Sequence, residues 1–165
     1  LAAAKHKGPV YLRFGRPVVP VFTPEDQEFV IGEAVMLNPG TAVTILATGH
    51  LVWEAIRAGE ELETLGIDAE IINIHTIKPL DEHAILNSIA KTGCAVTAEE
   101  HNRIGGLGDS VAQLLTKKMP RPQEYVAVND SFGESGPPSA LMDKYGLNAD
   151  AIVAAALRVL KRKEM

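Results

Sequence analysis

The chain has 165 residues, 46% of them hydrophobic and 22% charged, the proportions of one globular α/β-type domain that closes its core without disulfides or a structural metal. Sixteen basic against 21 acidic side chains leave a net charge of −5, so no positive field attracts nucleic acid or an anionic membrane. No apolar run approaches the ~20 residues of a membrane span, and the single cysteine, Cys94, excludes a disulfide framework or CxxC zinc site and fits a reducing, cytoplasmic compartment.

Leu1-Ala-Ala-Ala-Lys-His-Lys lacks the basic and apolar regions of a secretion signal and reads as the tail of a helix already under way. The chain is therefore expected to be a piece of something longer, cut upstream of Leu1. Val10–Phe14 is rich in β-formers and bounded by glycines, which predicts a strand. Prolines at 17, 20 and 24 give the stretch from Arg16 to Glu28 the character of an extended linker. The expected division is residues 1–15 as the trailing helix and strand of a preceding domain, 16–28 as linker, and 29–165 as the domain proper.

From Phe29 onward strands alternate with amphipathic helices. Phe29–Gly32 predicts a short strand, Asn38-Pro39-Gly40 a turn, and Ala42–Ala47 a buried strand. Leu51, Ala55, Ala58, Leu62 and Leu65 recur at helical spacing over about 50–65, with Gly66 closing the helix. A strand at Ala69–Ile74 precedes a helix capped by Asp81 and ended near Gly93, and a further strand is expected at Cys94–Ala98. Next come a helix from the Gly106–Asp109 turn to about Lys118, a strand at Tyr125–Val128, a short helix over Ser139–Tyr145 and a last helix capped by Asn148. Lys161-Arg162-Lys163 suits the negative end of that last helix. The sum is an open, mainly parallel five-stranded α/β sheet with helices on both faces, in which Phe29–Gly32 could pair antiparallel at an edge.

Few residue groups suggest chemistry. Gly105-Gly106-Leu107-Gly108 lies between a strand and a helix, where backbone N–H groups could hold an anion; tight turning and close helix packing explain the same glycines. Neither GxGxxG nor GxxxxGK[ST] is present. Glu99-Glu100-His101-Asn102 falls past a strand's carboxyl end, where His101 with Glu99 could do acid/base work or simply form a polar loop. The five histidines (6, 50, 75, 83 and 101) show no metal-binding spacing, and Cys94 reads as core. Arg13 within the first strand and Arg16 just past it could present guanidinium forks to a phosphate or carboxylate, or bridge domains.

Gly8–Arg16, Ile45–Gly49, Glu99-Glu100-His101, Gly105–Gly108, Asp130–Gly136 and Tyr145-Gly146-Leu147 together resemble the C-terminal part of transketolase, closest to the split form encoded as two chains. The resemblance covers essentially the whole sequence. It implies the C-terminal, dimer-supporting domain of a thiamine-diphosphate enzyme, with Mg²⁺ or Ca²⁺, that moves a two-carbon ketol unit between sugar phosphates. The cofactor would sit on the preceding domains, so this chain alone is expected to bind none and to be inactive. The partners implied are an N-terminal transketolase section, in a homodimer or a split-chain heterotetramer, and sugar phosphates. Arg16 is the position implied to contact the substrate phosphate, with Arg13 a weaker candidate. Phe14-Gly15-Arg16-Pro17 departs from the Ser-Arg-Gln-Asn usual in transketolases. Gly108-Asp109-Ser110 with Asn129 imitates the diphosphate–metal motif of thiamine enzymes but lacks its third glycine, so Asp109 reads as a charge favoured by a helix start. The C-terminal domain of 1-deoxy-xylulose-5-phosphate synthase shares these motifs, and a stand-alone anion-binding or regulatory module built on Gly105–Gly108 is the alternative from a different class.

Overall fold

The computed structural model describes residues 1–15 and 17–165. After a single turn of helix, α1 (Ala2–Lys5), the elements run β1 (Val35–Asn38), β2 (Val43–Ala47), α2 (Leu51–Thr64), β3 (Ala69–Asn73), α3 (Glu82–Thr92), β4 (Ala95–Asn102), α4 (Leu107–Lys118), β5 (Gln123–Val128), α5 (Pro138–Lys144) and α6 (Ala149–Lys163). The five strands form one sheet in the order β1-β3-β2-β4-β5. β2 pairs parallel with β3 and β4, and β4 parallel with β5, while β1 lies antiparallel on β3 at the edge. The expected sheet is present, mostly parallel with one antiparallel edge.

Side chains of the central strands alternate between two cores. Val43, Ile45, Ala47, Ile71 and Val96 face α2 and α6, where Leu51, Ala55, Ile152 and Val159 close the first core. Leu46, Ile72 and Ala95 face α3 and α4, where Ile85, Ile89, Val111 and Leu115 close the second. Both faces being covered explains why β2 is buried at every position and carries no polar stripe. Each fully buried Leu or Ile contributes roughly 1.5–3 kcal/mol relative to exposure, so these strands and helices hold the sheet edges that position the loops.

The helix boundaries follow local chemistry. Asp81 Oδ1 accepts from Ala84 N–H at 2.9 Å and Asn148 Oδ1 from Ala151 N–H at 3.1 Å, capping α3 and α6 as their sequences predict. Gly93 ends α3 in the left-handed region at φ 77°. At the end of α2, Ile67 N–H reaches back to Leu62 O at 2.9 Å.

Three expectations are corrected. Phe29–Gly32 is no strand: Glu33 N–H bonds Val30 O, Gly32 takes φ 88°, and the antiparallel edge strand is Val35–Asn38 instead. Among the described residues Val10–Phe14 pairs with no strand, and it is exposed, with Tyr11 and Phe14 each 87% accessible; β-formers supply propensity, but a ladder needs a neighbour. β4 runs four residues beyond its expected end, because Val128 of β5 pairs with Asn102 past a register irregularity after Ala98.

Candidate functional site

The parallel strands point their carboxyl ends at one edge of the sheet, where open α/β folds place ligands. Three segments meet there: the β2–α2 turn with Thr48, Gly49 and His50, the end of β4 with Glu99 to Asn102, and the β4–α4 turn through Gly105 and Gly106. The Val10–Gly15 segment also reaches this edge, through Arg13 and Gly15.

Glu99 settles the glycine-rich turn. Its side chain is 3% exposed, and its two carboxylate oxygens accept from Leu107 N–H at 2.7 Å and Gly108 N–H at 2.8 Å. The N–H groups an outside anion would need are thus taken by the chain's own carboxylate. Gly106 is required for this approach, since a Cβ there would fall 2.1 Å from Glu99 Oε2. Beside it Asp109 Oδ2 accepts from Gly105 N–H at 2.7 Å, so Asp109 serves the first turn of α4 as expected. Packing, not ligand binding, accounts for Gly105–Gly108.

The pairing of Glu99 with His101 is not formed. Glu99 turns inward to α4, while exposed His101 contacts Asn102 O through Nδ1 at 2.7 Å. A different pair forms at the same edge: His50 Nδ1 stands 3.1 Å from Glu100 Oε2. Both ends of the Arg13 guanidinium donate to the backbone carbonyl of that same Glu100, at 3.3 and 3.2 Å. Sequence reading missed His50, and within Glu99–Asn102 it singled out Glu99 with His101 rather than Glu100; the meeting of His50 with Glu100 depends on β2 and β4 being neighbours, which spacing alone does not reveal. Arg16 lies outside the described residues.

A second polar cluster is buried under α3. Glu70, 1% exposed, accepts from Ser88 and Lys91 and from Gly40 N–H at 3.3 Å, and Thr44 Oγ1 lies 2.6 Å from the hydroxyls of both Ser88 and Thr92. Burial pushes the Glu70 carboxyl up, but the donors from Lys91, Ser88 and Gly40 outweigh it and hold it below its ordinary value. Glu70, Ser88 and Lys91 line a shallow cleft between α3 and the β1 edge, but their polar groups are paired with one another, and the cluster ties α3 to β2 and β3. Cys94, fully buried, has its thiol pushed up by burial despite the Lys163 charge, which fits its core role. Among the described residues no three metal-ligating side chains converge, and no helix is long and apolar enough to cross a membrane.

The edge thus offers an occupied helix start, a His–Glu pair and an arginine fork held to the backbone, an arrangement that positions chain segments. The model of the transketolase C-terminal domain family matches residues 32–152. The chain belongs to this family.

The relatives of this transketolase C-terminal domain sharpen the placement. It is 50% identical over 159 residues to the 6-deoxy-6-sulfo-D-fructose transketolase subunit SqwH of Clostridium sp. (strain MSTE9), covering 96% of this chain and 49% of the relative. It is 40% identical over 167 residues to a putative transketolase C-terminal section of Methanocaldococcus jannaschii, covering 97% and 51%. Among solved structures, a split gene transketolase described as an inactive beta4 tetramer superposes with a TM-score of 0.94 at 44% identity, covering 98% of this chain and 53% of that one. The chain spans about half the length of the curated relatives it matches.

Proposed function

We propose that this chain is the C-terminal, dimer-supporting domain of a thiamine-diphosphate-dependent transketolase that transfers a two-carbon ketol unit between sugar phosphates. One observation carries the reading: half of all residues are identical to a transketolase subunit across nearly the whole chain. The residues present here do not fit the cofactor, because Glu99 fills the α4 helix start where a diphosphate would need free N–H donors. In this reading thiamine diphosphate and its Mg²⁺ or Ca²⁺ belong to the other half of the enzyme, and the isolated chain is inactive.

The rest of the reading concerns assembly. Residues 1–15 are the trailing edge of the preceding domain and 16–28 a linker into this one, a division supported by the exposed apolar side chains of Tyr11, Leu12 and Phe14. They suit burial against a neighbouring domain or subunit. The enzyme assembles as a homodimer or a split-chain heterotetramer and works in the cytoplasm. Arg16 contacts the substrate phosphate; Arg13, with both guanidinium ends on the Glu100 carbonyl, is the weaker candidate.

Reconstitution tests this. The chain is combined with the N-terminal transketolase section from the same source, thiamine diphosphate and Mg²⁺, and ketol transfer between sugar phosphates is measured. Transfer by the combination, and none by either half alone, supports the proposal. Condensation of pyruvate with glyceraldehyde 3-phosphate, with no ketol transfer, would assign the chain to a deoxyxylulose-phosphate synthase instead.

A further inference from the structure

The crossing from the N-terminal segment into the domain is held at one place. His50 follows the β2 turn at the start of α2, and its side chain is 15% exposed. One side of its ring, at Nδ1, stands 3.1 Å from Glu100 Oε2. The neighbouring Cε1 and Nε2 of the ring lie where a Cβ on Gly15 would be only 2.3 Å away. Gly15 is therefore pressed against the imidazole with no room for a side chain, and its φ is not in the left-handed region that would itself demand glycine. Two residues earlier, Arg13 grips the Glu100 carbonyl with both ends of its fork. Glu100 thus faces the segment twice: its carbonyl meets Arg13, and its carboxylate steadies the ring on which Gly15 rests.

We infer that His50 and Glu100 are positioning residues, forming a clamp on Arg13 and Gly15 that fixes the backbone one residue before Arg16 and so sets the enzyme's affinity for the substrate phosphate. The inference rests on the transketolase reading and on Arg16 as the phosphate contact. The clamp touches no substrate. Its effect is geometric, because a charge-assisted fork loses most of its advantage when its anchor shifts by about an ångström. Phosphate recognition is then coupled to the seam between the two halves of the enzyme, through residues on the domain that carries no cofactor.

Gly15→Ala, His50→Ala and the double variant test it in the complete enzyme. Because Gly15→Ala adds only a methyl group that collides with the ring, removing the ring relieves the collision. KM is measured with glyceraldehyde 3-phosphate and with unphosphorylated glyceraldehyde as acceptor, and hydrogen exchange is followed at residues 10–15. Each single variant is expected to raise KM for the phosphorylated acceptor by roughly tenfold, with KM for glyceraldehyde and kcat little changed. Exchange at residues 10–15 is expected to rise in parallel, and the double variant is expected to be no worse than His50→Ala alone. Glu100→Gln, which keeps the carbonyl under Arg13 but discharges the partner of His50, is expected to give a smaller change in the same direction.

Equal rises in KM for both acceptors would overturn the inference, as would unchanged exchange at residues 10–15 or additive losses in the double variant. Failure of the wild-type complete enzyme to transfer ketol units is a separate outcome. It would remove the transketolase reading and the positioning role together, while the exchange data would still report whether His50 holds the segment.

Discussion

Glu99 anchors the amino end of α4 from the neighbouring strand, accepting from Leu107 N–H at 2.7 Å and from the adjacent Gly108 N–H at 2.8 Å. The carboxylate does for this helix what a bound anion does in nucleotide-binding folds, but without a ligand. Glu99→Ala strands two buried donors, each costing about 1–3 kcal/mol, so the expected loss in urea unfolding is roughly 2–6 kcal/mol. The vacated helix start is then open to an external anion, and sulfate should stabilise Glu99→Ala more than wild type. A loss within experimental error, or an equal sulfate response, would contradict this account of Glu99.

Asp81 does more than its sequence position announces. Oδ1 caps α3 through Ala84 N–H, and Oδ2 accepts from Ala34 N–H at 2.8 Å, fastening the approach to β1. Asp81→Ala removes both bonds and is expected to cost about 2–3 kcal/mol, above the ~1 kcal/mol typical of a lost cap. In hydrogen exchange the amide of Ala34 should lose protection together with those of the first turn of α3. Loss confined to α3 would show that the second bond is not maintained in solution.

What could be read from the sequence divides along physical lines. Asp81, Asn148, Gly66 and Gly93 marked helix ends because caps act within a few residues, and the alternation of apolar strands with amphipathic helices gave the sheet. β1 was misplaced because Phe29-Val30-Ile31 has the stronger β character, yet Phe29 packs against the His75 ring, with 4.1 Å between centroids, and the chain turns before pairing begins. Val10–Phe14 shows the same limit, a strand-forming composition with no strand beside it. At the candidate site, Gly105–Gly108 was found, but its occupant was not. Glu99 is eight residues from Leu107, and only the β4–α4 return brings its carboxylate to the helix start. His50 and Glu100 are 50 residues apart and meet through strand adjacency.

Buried Glu70 and half-buried His75 both contribute to the acid sensitivity of the fold. Burial pushes the His75 imidazole below its ordinary 6.5, a backbone contact at the residue only partly opposing it, and its Nε2 has no partner among the described residues. The unfolded chain therefore binds a proton more readily, and this share of stability declines as pH falls below about 6.5 toward the lowered folded value. Glu70, held below its ordinary 4.5, contributes stability that is present above that value and is lost as pH falls through its depressed folded pKa. Urea midpoints from pH 8 to 3 should fall in two stages. His75→Phe, which keeps a ring against Phe29, is expected to flatten the upper stage, and Glu70→Gln the lower one at the cost of lower stability near neutrality. An unaltered upper slope in His75→Phe would assign it to another group.

Arg16, the proposed phosphate contact, carries the sharpest consequence. If its fork binds the substrate phosphate, Arg16→Ala in the complete enzyme removes a charge-assisted contact worth about 1.5–3 kcal/mol, a rise in KM of roughly ten- to a hundredfold for phosphorylated acceptors. Affinity for thiamine diphosphate should be intact, since in this reading the cofactor sits on the other half. Unphosphorylated glyceraldehyde separates phosphate binding from general damage: its KM should hardly move. Arg16→Lys keeps the charge but replaces a planar fork with a point donor, so partial recovery is expected, short of wild type. Full recovery by lysine would mean that the position supplies charge alone, and an unchanged KM in Arg16→Ala would move phosphate recognition elsewhere in the enzyme.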